Sequence, residues 1–310
     1  MPIYKTNLNI QSLGILISLI ALITIISIAT PHFLTADNVL SVIRSFSFVA
    51  IMAIGEMIVI ITAGIDLSVG SIMGFSACLT ALLIHSGWGS PLAIVIGMIT
   101  GLLLGFANGV LITRLKLPPF IVTLGMLSIC RGLTYVITKG WPISGFSEQF
   151  MFLGQGKLWL IPFPIFIMVI FALAGGVFLY KTIWGRQIYA IGGNEEATRL
   201  SGVNVDNVKV LAYMISGFTA AVAGILLIAR LGVAQPTAGL SYELDVIAAA
   251  VIGGTSLMGG EGTILGLIIG AAIMGVLRNG LVLLGVSAFW QQVALGAVII
   301  LAVTIDKIRK

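Results

Sequence analysis

The sequence predicts an all-α, polytopic transmembrane bundle of about ten helices, a single membrane domain over 1–310, and three observations predict it. Hydrophobic residues make up 59% of the 310, with a mean hydropathy of +1.16, more apolar chain than one soluble core can bury. Only 9% of the residues are charged. Apolar runs of about 20 residues, the length that crosses a bilayer, recur about ten times between Ser12 and Ile305.

These runs place spans near 12–30, 39–62, 68–86, 91–112, 119–138, 161–181, 208–230, 244–258, 262–284 and 288–305. The first follows the near-neutral MPIYKTNLNIQ and lacks an A-x-A-like end, so it reads as a retained span and not a cleaved signal. An even number of spans puts both termini on one side. Arg114, Lys116, Lys181, Arg186, Arg199 and Lys209 fall on that side with Lys5, Lys307, Arg309 and Lys310, against Lys139, Lys157 and Arg230 on the other. Ten basic residues against three make the termini cytoplasmic. Arg44, Arg131 and Arg278 lie within spans. The net charge of +5 is therefore a topology signal in short loops and not a nucleic-acid patch. Cys78 and Cys130, both inside apolar runs, read as packing residues and not as a disulfide or metal site.

Two short internal matches raise a duplication, although such matches arise readily in a chain rich in Gly and Leu. Asn108-Gly109 precedes Leu124-Gly125 by the interval at which Asn279-Gly280 precedes Leu295-Gly296. The pattern G-x-x-L-x-x-G occurs as GIDLSVG (Gly64 to Gly70) and GTSLMGG (Gly254 to Gly260). Transporters built from repeats carry their substrate path at the repeat interface. Gly97, Gly101, Gly105 and Gly109 leave a bare groove along one face of the fourth span, and Gly262, Gly266 and Gly270 form a shorter ladder at the ninth. Tight packing within one subunit is the plainer reading, with a dimer contact or a sliding surface as alternatives.

Glu56 and Asp66 are the hardest residues to accommodate, because an ionisable group in a span costs about 3 kcal/mol and faces a polar cavity or a partner. Asp66 sits in AGIDLSVGS, where Gly64 and Gly70 flank a polar turn that breaks the chain between the second and third spans. It can line a pathway or gate together with Ser68, or simply cap the third span through the amides of Ser68 or Val69. Arg44 is twelve residues from Glu56, too many turns for a pair within one straight helix. Pro118 and Pro119 open the fifth span, where a missing N–H is harmless, and carry Phe120 and Thr123 behind them. The Thr123 hydroxyl can face a solute or bond its own helix. Asn108, Asn279, Gln291 and Gln292 are further pathway candidates; the two glutamines lie beside Phe289 and Trp290, a mix that suits either a sugar or an interfacial anchor.

No catalytic residue and no metal site is predicted: the chain lacks a phosphate-binding G-x-x-x-x-G-K-[ST] loop and an H-E-x-x-H, and His32 and His85 lie apart at span ends. If ATP drives transport, another polypeptide binds it. The longest connection on the cytoplasmic side, Arg186 to Val208, has helix signals of its own. Asn194 can cap, Glu195 and Glu196 favour the first turn, and Gly202 can close the end. Such a helix of about two turns cannot stand alone in water, and the connection is longer than joining two spans requires. It docks on the protein's own span ends, on a partner, or on both.

Four stretches carry a family resemblance over almost the whole chain: NVLSVIRSFSFVAIMAIGEMIVIITAGIDLSVGS, GFANGVLITRLKLPPFIVTLG, GRQIYAIGGNEEATRLSGVNV and VIGGTSLMGGEGT. The sequence resembles the membrane permeases of bacterial ATP-binding-cassette importers for monosaccharides, the ribose, xylose, arabinose and galactose group. The resemblance implies a homodimer of permeases in the bacterial inner membrane and an ATPase subunit with two nucleotide-binding cassettes that binds ATP and Mg. It also implies a periplasmic or extracellular binding protein that delivers the monosaccharide, and no cofactor in this chain. The loop between the sixth and seventh helices is then the coupling element, at Gly193, Asn194, Glu195, Glu196, Ala197, Arg199, Leu200 and Gly202. The rival readings are a secondary transporter coupled to an ion through Glu56 and Asp66, and an intramembrane enzyme.

Overall fold

The computed structural model describes residues 10–308, and Lys5, Arg309 and Lys310 from the orientation argument lie outside them. The described chain is helical throughout, with two small strand pairs. The helices are α1 (Ile10–Ala29), α2 (Ala36–Ile61), α3 (Val69–His85), α4 (Ser90–Arg114), α5 (Pro119–Thr138), α6 (Glu148–Gln155), α7 (Phe163–Lys181), α8 (Ile183–Gly193), α9 (Glu195–Leu200), α10 (Val205–Leu231), α11 (Tyr242–Ile252), α12 (Ile264–Leu283) and α13 (Ala288–Ile308). The strands are β1 (Ile143–Ser144), β2 (Lys157–Leu158), β3 (Ile161–Pro162) and β4 (Val233–Ala234).

Each of the ten predicted spans falls on a helix, but not all are full spans. Six helices, α2, α4, α5, α7, α10 and α12, are long and apolar enough to cross a membrane. Three apolar stretches, Leu13–Ala29, Val69–His85 and Ala288–Leu301, are shorter. The expected span at 244–258 is overturned: α11 has 11 residues and ends at Ile252, and the chain runs on without regular structure to α12. Its apolar composition continues past Ile252, but Gly254, Gly259 and Gly260 all take positive φ, which breaks a helix whatever the hydropathy. At 1.5 Å per residue, α11 reaches only about half-way through a bilayer.

The antiparallel pair β1–β4 joins the α5–α6 connection to the α10–α11 connection, so both lie on one side of the bundle. The α8–α9 segment lies on the opposite side, beside the α2–α3 and α11–α12 connections.

Two helices form the centre. Their most apolar windows are 72% buried in α2 and 78% buried in α10, against 22–28% for α4, α5 and α7, whose remaining apolar surface is left for lipid or a partner. Each central helix precedes a non-helical break, then a shorter helix, a long one and another: α2 precedes α3, α4 and α5, and α10 precedes α11, α12 and α13. The breaks lie on opposite sides, so the two copies run in opposite senses. Both contain Thr-Ala-Gly, at Thr62–Gly64 and Thr237–Gly239, the sequence match that marks equivalent positions. The Asn108-Gly109 and Asn279-Gly280 match also joins equivalent helices, α4 and α12. The G-x-x-L-x-x-G match does not, because one copy links α2 to α3 and the other links α11 to α12. The central helices are exchanged: α10 packs most extensively on α4, and α2 packs on α11 and α12.

Glycine makes this packing possible. A Cβ at Gly101 would strike the Gly217 carbonyl and lie 2.6 Å from Ala221, and one at Gly105 would strike the Tyr213 carbonyl. Gly101, Gly105 and Gly109 of the α4 ladder are therefore filled by the α10 backbone of the same chain, while Gly97 makes room for Thr80 of α3. Gly266 and Gly270 let α12 approach α11 in the same way. Without a hydrophobic drive between helices in lipid, such backbone contact is the main source of helix association. Gly105→Val is expected to destabilise the fold by about 1–3 kcal/mol, as overpacking does. A lower unfolding temperature of the purified chain in detergent checks it, with Gly125→Val, at a site open to 4 Å, unchanged.

Candidate functional site

The α2–α3 break gathers four of the predicted pathway residues. The end of α2 turns back on itself, with the amides of Thr62, Ala63 and Gly64 donating to Val59 and Ile60 carbonyls, and Ala63 adopting a positive φ. Beyond this turn the Asp66 amide donates to Glu56 Oε1 at 3.0 Å. The Asp66 carboxylate accepts from the Ser68 amide at 3.0 Å, from the Ser68 hydroxyl, and from the Ser216 hydroxyl of α10 at 3.0 Å. Asn108 of α4 donates to Ser68 Oγ at 2.9 Å. Glu56, Asp66, Ser68, Asn108 and Ser216 are all buried. Asp66 thus does what a cap does and also ties together three helices. Gly55 permits this, since a Cβ there would meet Thr219 Oγ1 and lie 2.7 Å from the Ser216 Cα. Two acceptors in the cluster, Glu56 Oε2 and Asn108 Oδ1, have no hydrogen-bond partner. Thr123 donates to its own helix at Pro119 O, 2.9 Å, with Ile65 O at 3.4 Å, so it borders the break without entering it. Phe120, 53% exposed, points away.

The remaining candidates lie elsewhere. Asn279 exchanges hydrogen bonds with Asn38 and lines a cavity of about 280 Å³ between α2, α10, α11 and α12, at the end of the bundle nearer β1 and β4. Ser45, Arg230, Tyr242, Asp245 and Arg278 line it too. Arg278 pairs with Asp245 at 2.8 Å, and Arg230 donates to Ser45 Oγ at 3.1 Å while lying 5.6 Å over the Phe48 ring. The sequence reading missed Asp245 and Ser216; the repeated Thr-Ala-Gly, with its acidic residues four to eight positions on, was the available signal for the first. Gln291 donates to the Val286 carbonyl, and it and Gln292 stand apart from both clusters on α13. Cys78 and Cys130 are buried free thiols.

The α8–α9 segment follows its capping signals. Asn194 Oδ1 accepts from the Ala197 amide at 2.9 Å, and Gly202, at φ +86°, closes the end. The short helix is docked by charge. Arg199 bridges Glu195 at 3.2 Å and Asp206 at 3.0 Å, and Lys209 of α10 pairs with Glu195. Thr198 is buried beneath it. Partial burial raises the affinity of Glu195 for a proton, but Lys209 and Arg199 outweigh it and hold the carboxyl below its usual range. Asp206 and Glu195 hold the Arg199 guanidinium above its usual value. The two charges are thus committed within the chain, whereas Glu196 and Leu200, one turn apart, face outward, with Leu200 83% exposed.

Asp66→Ala strands buried donors on Ser68 and Ser216 at about 1–3 kcal/mol each, so a lower unfolding temperature in detergent is expected with membrane insertion intact. Asp66→Asn, which keeps an acceptor oxygen, is expected to lose less. Because the folded value of Glu195 lies below the ordinary 4.5, its ion pairs stabilise the docked segment above that pH and are lost as pH falls through the depressed value. Hydrogen exchange of 194–203, corrected for intrinsic rate, is expected to be constant from neutral pH to 4.5 and to accelerate only below it.

Comparison with known proteins matches residues 38–303 to the family described as the branched-chain amino acid transport system permease component. The ribose import permease RbsC of Bacillus subtilis is 48% identical over 96% of this chain and 93% of its own length. RbsC of Escherichia coli K12 is 45% identical over 98% and 96%, and the xylose transport system permease XylH of the same strain is 35% identical over 98% and 93%. No solved structure matches. The family's description names amino acids while these relatives are named for sugars, so the family alone does not define the solute. The match covers both central helices, both breaks and the docked α9, and the chain belongs to this permease family of ATP-binding-cassette importers, as a multi-pass membrane transport subunit and not an enzyme.

Proposed function

We propose that this chain forms the membrane path of an importer for a ribose-like monosaccharide. Higher identity to permeases named for ribose than to one named for xylose supports that class of solute. In this reading two copies form a homodimer on an ATPase subunit with two nucleotide-binding cassettes, which binds ATP and Mg. A periplasmic or extracellular binding protein delivers the sugar. The side carrying α8 and α9 faces the cytoplasm, as do both termini, in keeping with the excess of Lys and Arg on that side.

The observation that carries the reading is Leu200. A leucine 83% exposed on a short helix beyond the spans has no lipid to meet and invites a protein partner. Glu196, Leu200 and the intervening Ala197 form the docking face, while Glu195 and Arg199 hold the helix in place behind it. The α2–α3 break is the gate on this side, with Glu56, Asp66, Ser68 and Asn108 as its polar core and Phe120 and Thr123 at its border. Asn279, and further out Gln291 and Gln292, belong to the opposite entrance. ATP-driven closure of the cassettes displaces α9 and switches access from one side to the other. An ion-coupled transporter would need Glu56 and Asp66 free to exchange a cation, whereas both Asp66 oxygens already accept hydrogen bonds within the protein.

Transport by the reconstituted chain with its ATPase and binding protein tests this: sugar uptake is expected only with ATP, and uptake driven by an ion gradient without the ATPase would overturn it. Leu200→Asp is expected to reduce co-purification of the ATPase at least about tenfold, the loss of a ~1.4 kcal/mol contact, with the chain still inserted.

A further inference from the structure

The end of α8 meets both breaks on its side of the bundle in one backbone contact. Gly260 donates its amide to the carbonyl of Ile61, the last residue of α2, at 2.9 Å. Gly192 of α8 lies against this hydrogen bond. A Cβ at Gly192 would strike the Ile61 carbonyl oxygen and the Gly260 amide nitrogen and lie 2.9 Å from the Gly260 Cα. Gly259 and Gly260 hold φ of +87° and +77°, and a Cβ on Gly259 would be 3.0 Å from the Ala63 amide. Three residues before Gly192, the Tyr189 hydroxyl donates to the Gly262 carbonyl at 2.7 Å. Gly193, by contrast, has nothing within 4 Å of a built Cβ. Gly192 and Gly260 are thus the two residues at which α2, α8 and the α11–α12 connection meet, and Gly192 is the one carried by α8.

We propose that Gly192 is the positioning residue through which displacement of α9 moves the Thr62–Ser68 break, an inference that rests on the coupling role proposed for α9. Side chains absorb small displacements by changing rotamer, but main chain held on main chain has no such freedom and must move as a unit. Only Gly193 and Asn194 lie between this joint and α9. On the far side of it, Ile61 is five residues from Asp66, whose carboxylate binds Ser216 of α10. A shift of α9 therefore reaches the polar core of the break through a continuous path of backbone and hydrogen bonds. Adding a methyl at Gly192 separates α8 from Ile61 and Gly260 without touching the outward face of α9.

The test uses the assembled importer in proteoliposomes, with sugar transported per ATP hydrolysed as the readout. Gly192→Ala is expected to bind the ATPase and hydrolyse ATP as the parent does, while sugar per ATP falls about tenfold, within the usual range of coupling between sites. Gly176→Ala on α7, where a built Cβ meets nothing within 4 Å, is expected to leave the ratio unchanged. An unchanged ratio in Gly192→Ala overturns the inference. If that variant does not assemble, Tyr189→Phe removes the hydroxyl that bonds Gly262 while leaving the ring: a lowered ratio supports the joint and an unchanged one overturns it. Failure of the parent chain to bind the ATPase would instead overturn the coupling role of α9.

Discussion

A helix that stops inside a membrane protein leaves amides and carbonyls with no water to meet, and the break after Ile61 exists only because buried side chains satisfy it. Asp66 is the centre of that arrangement. One carboxylate takes the Ser68 amide and hydroxyl from its own turn and the Ser216 hydroxyl from α10, while Glu56 takes the Asp66 amide. Asn108 extends the network to α4 through Ser68. The start of α3, the approach of α10 to α2 and the seat of α4 all depend on the same few atoms. No carboxylate pair with a basic residue lies among the described ion pairs of this cluster, so it is held by neutral donors and not by countercharge.

The reversed second copy of the fold places its own break on the other side. After α10 the chain passes through β4 and enters α11 with Tyr242 and Asp245 beside Arg278, and the polar groups line open space. Both breaks are held by hydrogen bonds, the second by Arg131 donating to the Pro236 and Ala238 carbonyls, and a cavity lies only beside the second, lined by its flanking residues Arg230 and Tyr242. Glycine contacts make the bundle around these breaks stiff. The α4 ladder on α10 and Gly192 on Ile61 put backbone against backbone, so movement passes between elements instead of being taken up by side chains.

Much of this was legible in the sequence. Length and apolarity placed ten helices, because crossing a bilayer demands both together. Asn194, Glu195 and Gly202 announced α9, because capping is local chemistry that a few adjacent residues decide. Asp66 stood out because a carboxylate in an apolar run needs partners. The partners themselves were not legible: Ser216 is 150 positions away and Lys209 lies 14 beyond Glu195. Sequence distance carries no record of which helix faces which, and only the structure shows that Glu195 and Arg199 of the expected coupling element pair with Lys209 and Asp206.

By itself, then, the sequence determined the class of the protein, the rough placement of most of its long helices, and the presence of a short capped helix beyond the spans, all of which follow from hydropathy, capping and the needs of an isolated charge. The tertiary structure alone decided that 244–258 is half a span, that the Thr-Ala-Gly segments mark an inverted repeat, and that the α2–α3 and α11–α12 connections meet at Gly192. Those features arise where distant backbones approach closely enough to exclude a methyl group, and that condition depends on the position of every packed helix at once.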